Sequence, residues 1–269
     1  MRHRLKGLVV ALAALVGLTP ILAASHAARA ESTLDRILHD KKIRITAEVT
    51  SPPFGILDKD GKPDGSEIAT ARQLAKDLGV ELELVQVTAP NRIPALLAGR
   101  ADVAISSLSI TFERAMTVAF ANPHGALSIV ITAAQGVAIK SAADLAGKRI
   151  GLTRATLEEA TVPKAAPQGT NIVYFDDIAA TIQALLSGQV DAAGMSAFAA
   201  KSVAERNPDK KLENKFTVTT AYYAAAVRPA DHELLQWINT WVFLNTQNGV
   251  LAGIYKKYTG VDLPALPVF

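Results

Sequence analysis

Ala95-Leu96-Leu97-Ala98-Gly99-Arg100-Ala101-Asp102-Val103-Ala104 returns 89 residues later as Ala184-Leu185-Leu186-Ser187-Gly188-Gln189-Val190-Asp191-Ala192-Ala193. Each copy reads as the end of a helix, a glycine after its last turn, and a short buried strand. A second pair supports the repeat. Lys42-Ile43-Arg44-Ile45-Thr46 and Lys148-Arg149-Ile150-Gly151-Leu152 are both short apolar strands able to open an α/β unit. Two units built alike are therefore expected, each strand–helix alternation giving a largely parallel sheet.

The coarse pattern fills in around these anchors. Strands are predicted at 42–48, 80–87, 102–106, 148–152, 171–175, 190–194 and 216–228. Ser66 is expected to cap a helix with Ile68, Ala71, Leu74, Ala75 and Leu78 on its apolar face, ended by Gly79. Asn91 is expected to cap a short helix carrying Pro94 in its first turn. Ser141 to Asp144 spells a capping box. A helix is predicted over 176–187, and two more close the chain at 231–246 and 248–258.

Residues 1–30 are a different material. A basic head (Arg2, Arg4, Lys6), an apolar run from Leu8 to Leu18 and the small-x-small site Ala28-Arg29-Ala30 have the order of a cleavable secretory signal. A retained anchor is disfavoured by Pro20. The segment holds four Lys/Arg and no acid, so the remainder carries 24 basic and 25 acidic residues. The basic pI of the whole chain thus belongs to its start, and no basic stripe with aromatics points to nucleic acid. Cysteine is absent, which excludes disulfides, thiolate chemistry and lipid attachment at an N-terminal cysteine. A free exported protein, not a lipoprotein, is expected.

Parallel sheets bind ligands beyond the carboxyl ends of their strands. At the end of the first repeat copy stands Ser106-Ser107-Leu108-Ser109-Ile110-Thr111-Phe112-Glu113-Arg114. Hydroxyls, backbone amides and a guanidinium on a turn capped by Thr111 suit a carboxylate. By the repeat, Ser107 corresponds to Ser196, so the two serines stand at equivalent strand ends, one per unit.

With these residues in place the chain resembles the periplasmic solute-binding proteins of the polar amino-acid class, family 3, which serve ABC importers. The resemblance rests on Ser51-Pro52-Pro53-Phe54, Asp60-Gly61-Lys62 with Gly65, and Ile93-Pro94-Ala95-Leu96 with Gly99 and Asp102. It rests also on Ser107-x-Ser109-x-Thr111-x-x-Arg114, Phe120-Ala121-Asn122-Pro123, Gly147-Lys148, Gly188 with Asp191-Ala192, and Trp237-Ile238-Asn239. It implies two α/β lobes joined by two crossing strands near 126–132 and 221–228. Residues 31–125 with 229–269 would form one lobe and 126–228 the other. It implies hinge closure on a small carboxylate-bearing solute, a monomer, and ABC permease subunits as partners. Neither a cofactor nor a metal is implied, and histidines lack metal spacing.

By the same resemblance, Arg114, Ser109 and the amides of Thr156 and Leu157 would hold the ligand carboxylate, with Ser106 and Ser107 beside them. The family's usual aspartate for the ligand ammonium is replaced by Ser196, which supplies no charge. Glu48 and Glu158 are the two candidates for the missing counter-ion; Glu158 reads equally as a first-turn acid. Phe54 stands near the ligand shelf or in the core. His124, where relatives carry tyrosine, is a polar contact or a ligand group. Arg92 lies on a solvated helix face or meets an acidic group. The alternative function is a cyclohexadienyl-dehydratase-like enzyme, which needs a buried proton donor that Glu48 or Glu158 would provide. A membrane sensor module is disfavoured, since no apolar span follows.

Overall fold

The computed structural model describes residues 31–268; the expected signal segment lies outside them. The chain opens with α1 (Thr33–Asp40), β1 (Lys42–Ala47), the β2 (Ile56–Leu57) and β3 (Pro63–Asp64) hairpin, α2 (Ser66–Leu78) and β4 (Glu81–Gln86). Then follow α3 (Arg92–Leu97), α4 (Phe112–Ala115) and the long β5 (Ala119–Ala134). Next come β6 (Arg149–Thr153), α5 (Leu157–Ala165), β7 (Asn171–Phe175), α6 (Ile178–Ser187), β8 (Ala192–Ser196) and α7 (Ala197–Arg206). The chain returns through β9 (Leu212–Val227) and ends in α8 (His232–Gln247) and α9 (Val250–Thr259).

Two α/β lobes result. In one, β1 pairs in parallel with β4. Ile43, Ile45, Leu74, Val103 and Trp241 belong to the core packed there, so the last helices return to the first sheet. In the other, β7-β6-β8-β5-β9 forms a five-stranded sheet. Its two faces carry separate cores, one around Met195 and Ala200, the other around Ile150 and Leu152. β5 and β9 cross between the lobes, paired antiparallel from Ala119↔Val227 to Ala134↔Leu212, with register shifts along the way.

The repeat has a shared physical reason. Asp102 accepts the Arg44 amide at 3.0 Å and its Nε and Nη2 at 3.2 and 2.7 Å. Asp191 does the same for Arg149, at 2.8, 3.3 and 2.7 Å. In each lobe the aspartate of the repeat thus pins the lobe's opening strand by both backbone and side chain. Asp102 is fully buried and also meets Arg36 and Arg228. Burial opposes its charge, but the Arg44 bonds and Arg36 outweigh that and hold its carboxyl below the usual range.

Three local expectations are corrected. The strand predicted over 102–106 shrinks to two single pairs, Val103 with Ile45 in parallel and Ala104 with Ala226 antiparallel. The segment is wedged between β1 and β9 and leaves both neighbours after one residue each. Ser66 does not cap α2: Gly65 holds the cap position at φ +124°, and the Ser66 hydroxyl lacks a hydrogen-bond partner among the described residues. Helix-end amides need acceptors. Here Pro53 O takes the Ser66 amide at 3.1 Å and Phe54 O the Glu67 amide at 2.9 Å, so no side chain is required. A Cβ on Gly65 would fall 2.4 Å from Phe54 O, which closes that position to any other residue. Asn91 makes no side-chain cap bond either; its amide donates to the Thr88 hydroxyl at 2.9 Å.

Candidate functional site

A cleft with about 540 Å³ of unfilled space, mouth included, opens where the carboxyl ends of both lobes' strands meet. Nine of the ten residues expected at the site line it: Glu48, Phe54, Ser107, Ser109, Arg114, Thr156, Leu157, Glu158 and Ser196. Ser106 does not. Its hydroxyl faces Thr46 Oγ1 at 3.3 Å, inside the first lobe.

Arg114 is placed by α4, a single turn whose cap is the Thr111 hydroxyl accepting the Arg114 amide at 3.2 Å. Its Nη1 donates to Ser109 O at 2.7 Å and its Nη2 to Ala155 O, across the cleft, at 2.8 Å. A guanidinium has five N–H donors, so most of the fork remains available. No carboxylate of the described residues pairs with it within 4.0 Å. Burial, then the neighbouring Arg92 charge, lowers its pKa to about 10, which leaves it charged at neutral pH.

Arg92 is the residue the sequence misread most. It is 4 % exposed, not on a solvated face. Its fork is spent on carbonyls: Nε to Ala89 O at 3.0 Å, Nη1 to Ser106 O at 3.0 Å, Nη2 to Ala155 O at 2.8 Å. Ala155, at φ +56°, therefore offers one carbonyl to two cations of the opposite lobe. Glu159 Oε2 steadies that turn by accepting the Ala155 amide at 2.6 Å.

Glu48 directly follows β1 and is 3 % exposed. Arg92 Nη1 stands 3.7 Å from it, yet neither carboxylate oxygen accepts a hydrogen bond among the described residues. Burial pushes its carboxyl above the usual range, opposed by the Arg92 charge and helped by the charges of Glu158 and Asp177. A buried charge without donors is costly, so this carboxylate is poised for a cation. Burial raises Glu158 as well, opposed by its own amide, the Thr156 hydroxyl and both arginines.

The opposite wall is quieter. Thr156 caps α5: its hydroxyl accepts the Glu159 amide at 3.3 Å and donates to Thr153 O at 2.6 Å. The positive end of that helix faces the cleft. Ser196 caps α7 by accepting the Ala199 amide at 3.1 Å. Ile178, Ile182 and Met195 supply an apolar surface that the motif reading did not include. Phe54 lines the cleft and also belongs to a core, lying edge-on to Tyr223 and Phe198 at 5.6 and 6.0 Å. His124 is a buried polar contact, its Nε2 3.1 Å from Glu67 Oε1.

Two hinged α/β lobes around a polar cleft define a type II periplasmic-binding-protein fold. The chain belongs to the bacterial extracellular solute-binding proteins, family 3, whose model matches residues 43–261. It is similar to the L-cystine-binding protein TcyJ of Escherichia coli, 28% identical over 236 residues, 87% of this chain and 88% of that one. The solved structure of an L-cysteine solute receptor of Neisseria gonorrhoeae matches with a TM-score of 0.80 at 28% identity, over 84% of this chain and 93% of that one. AncCDT-1, an ancestral amino acid-binding protein and precursor of cyclohexadienyl dehydratase, matches at 0.78 and 30%, over 85% and 100%.

Proposed function

We propose that this chain is the periplasmic receptor of an ABC importer for a small zwitterionic solute of amino-acid type. Permease subunits would be its partners. The observation that carries this reading is a pair of opposite charges in one cleft whose hydrogen-bonding capacity is not used up among the described residues, although Arg92 pairs with Glu48 at 3.7 Å. Arg114 has guanidinium donors to spare, and Glu48 has two buried oxygens without a hydrogen bond. The carboxylate of the solute would take Arg114, Ser109 and the first-turn amides of α5. Its ammonium would take Glu48, in place of the counter-ion that Ser196 lacks.

Residues 31–125 with 229–269 would move against 126–228 by bending in β5 and β9. The separate cores support that division. Closing the lobes around a ligand stabilises the closed state by the ligand's differential affinity for it. A protein exported by its first 30 residues and without a cysteine for lipid attachment would work unanchored; a monomer is what the family resemblance implies.

The test is a thermal-shift screen of the purified, ligand-stripped chain against amino acids, organic acids and amines, starting with L-cystine and L-cysteine. A ligand at 100 times its Kd adds about 2.7 kcal/mol. At ~2–4 °C per kcal/mol for a chain of this size, the melting point rises by roughly 5–10 °C. The expected hit carries both a carboxylate and an amine and is recovered unchanged. Hits only among acids without an amine would refute the Glu48 assignment. Turnover of prephenate or arogenate would make the protein an enzyme, with one of the two raised cleft carboxyls as proton donor.

A further inference from the structure

The Ser106–Ser107 peptide is gripped on both sides. Its carbonyl accepts Arg92 Nη1 at 3.0 Å, and its N–H donates to Glu67 Oε2 at 2.7 Å. Carbonyl and amide of one trans peptide point in opposite directions, so the two bonds together fix the plane of that unit. The plane sets the backbone of Ser107, which sits at φ +47°. A residue other than glycine in that region carries strain and stays only where its surroundings hold it. Were the peptide to turn over, Ser107 would relax and its side chain would leave the cleft wall that it lines.

Glu67 is held in turn. It is 2 % exposed at the start of α2, and His124 Nε2 lies 3.1 and 3.2 Å from its two oxygens. His124 stands edge-on to Tyr223 at 5.0 Å, and Tyr223 occupies the space beside Gly125 so closely that a Cβ there would lie 2.1 Å from its ring. The imidazole therefore has little room to move. Neither Glu67 nor His124 lines the cleft.

We infer that Glu67, seated by His124, is a positioning residue for ligand binding: with Arg92 it locks the Ser106–Ser107 peptide and so holds Ser107 in the cleft wall. This rests on the ligand reading above for its effect on affinity, but not for its effect on Ser107.

Two variants separate positioning from bulk packing. Glu67→Gln keeps the shape and an oxygen that accepts the Ser107 amide; Glu67→Leu removes the acceptor. L-Cystine and L-cysteine serve as calorimetric probes. In the ligand-free chain, the Ser107 amide proton shift and its φ-dependent three-bond coupling are read by NMR. Expected are an upfield amide shift and a changed coupling in Glu67→Leu, with at least tenfold weaker probe binding. Glu67→Gln should keep the wild-type coupling and bind within threefold. Unchanged Ser107 signals in Glu67→Leu overturn the inference, as does equal loss of affinity in both variants. If Glu67→Leu does not fold, His124→Phe takes its place; it should broaden or shift the Ser107 amide, and an unmoved resonance overturns the inference. A wild-type chain that binds neither probe counts against the ligand reading alone, and the Ser107 signals then decide the positioning claim.

Discussion

Replacing Arg114 by methionine keeps the stem of the side chain and deletes the fork. The structure makes the consequences unequal. For stability, the loss is the bond to Ser109 O at 2.7 Å and the bond to Ala155 O at 2.8 Å. A hydrogen bond from a charged donor contributes about 1.5–3 kcal/mol. Against this stands the relief of a desolvated cation, the same desolvation that lowers its pKa to about 10. Arg92 Nη2 continues to hold Ala155 O at 2.8 Å, so the cross-cleft link survives in part. A net loss of ~1 kcal/mol remains, which lowers the melting point by roughly 2–4 °C. For binding, truncating one side of a desolvated charge pair costs ~2–5 kcal/mol. That is about 30- to 5,000-fold in Kd. Calorimetric titration with the best hit of the screen, beside thermal melts of the empty chain, measures both. A variant that binds within threefold of wild type would refute the clamp. A melting point lowered by 10 °C or more would show that Arg114 chiefly holds the lobes together.

Glu48→Gln should move binding and stability in opposite directions. Burial raises the Glu48 carboxyl above its unfolded value of 4.5, so ionising it penalises folding. The penalty is absent below the unfolded value and complete once the pH passes the folded one. The empty glutamine variant should therefore melt higher than wild type at neutral pH, the gap closing towards pH 4.5, while an amine-bearing ligand binds at least tenfold more weakly. A variant less stable at neutral pH would mean that the ion pair with Arg92 is structural. The two repeat aspartates should differ sharply in urea denaturation. Asp102→Ala strips a fully buried carboxylate from Arg36, Arg44 and Arg228 and should cost ~3–5 kcal/mol. Asp191→Ala, at a side chain 34% exposed, should cost ~1 kcal/mol or less. Because the Asp102 carboxyl is depressed, its contribution is complete above 3.8 and fades as the pH falls through the folded value. Equal losses at the two positions would contradict the burial argument.

How much was legible in the chain follows from how local each cause is. The repeat could be read because Asp102 and Asp191 each bind the backbone and the arginine of the first strand of their own lobe, and a shared structural role leaves copies in the sequence. Thr111 could be read as a cap because a cap bond spans three residues. Ser66 and Asn91 look the same locally and are not caps. For Ser66, the acceptors arrive instead from Pro53 and Phe54, on the far side of the β2–β3 hairpin in sequence but adjacent in space. The ligand clamp could be expected at Arg114 because its turn and its serines lie within nine residues.

Sequence alone thus determined the paired α/β lobes and the cleft residues that ride on strand ends and helix starts, since periodicity and capping are short-range. Tertiary structure decided which charges are left over. Arg92 is consumed by three carbonyls from three parts of the chain, and Ala155 receives two guanidiniums on a backbone that no alanine advertises. Glu48 has Arg92 at 3.7 Å but no hydrogen-bond donor among the described residues. Whether a buried charge is satisfied depends on desolvation and on partners tens of residues away. Those are settled only when the lobes face each other.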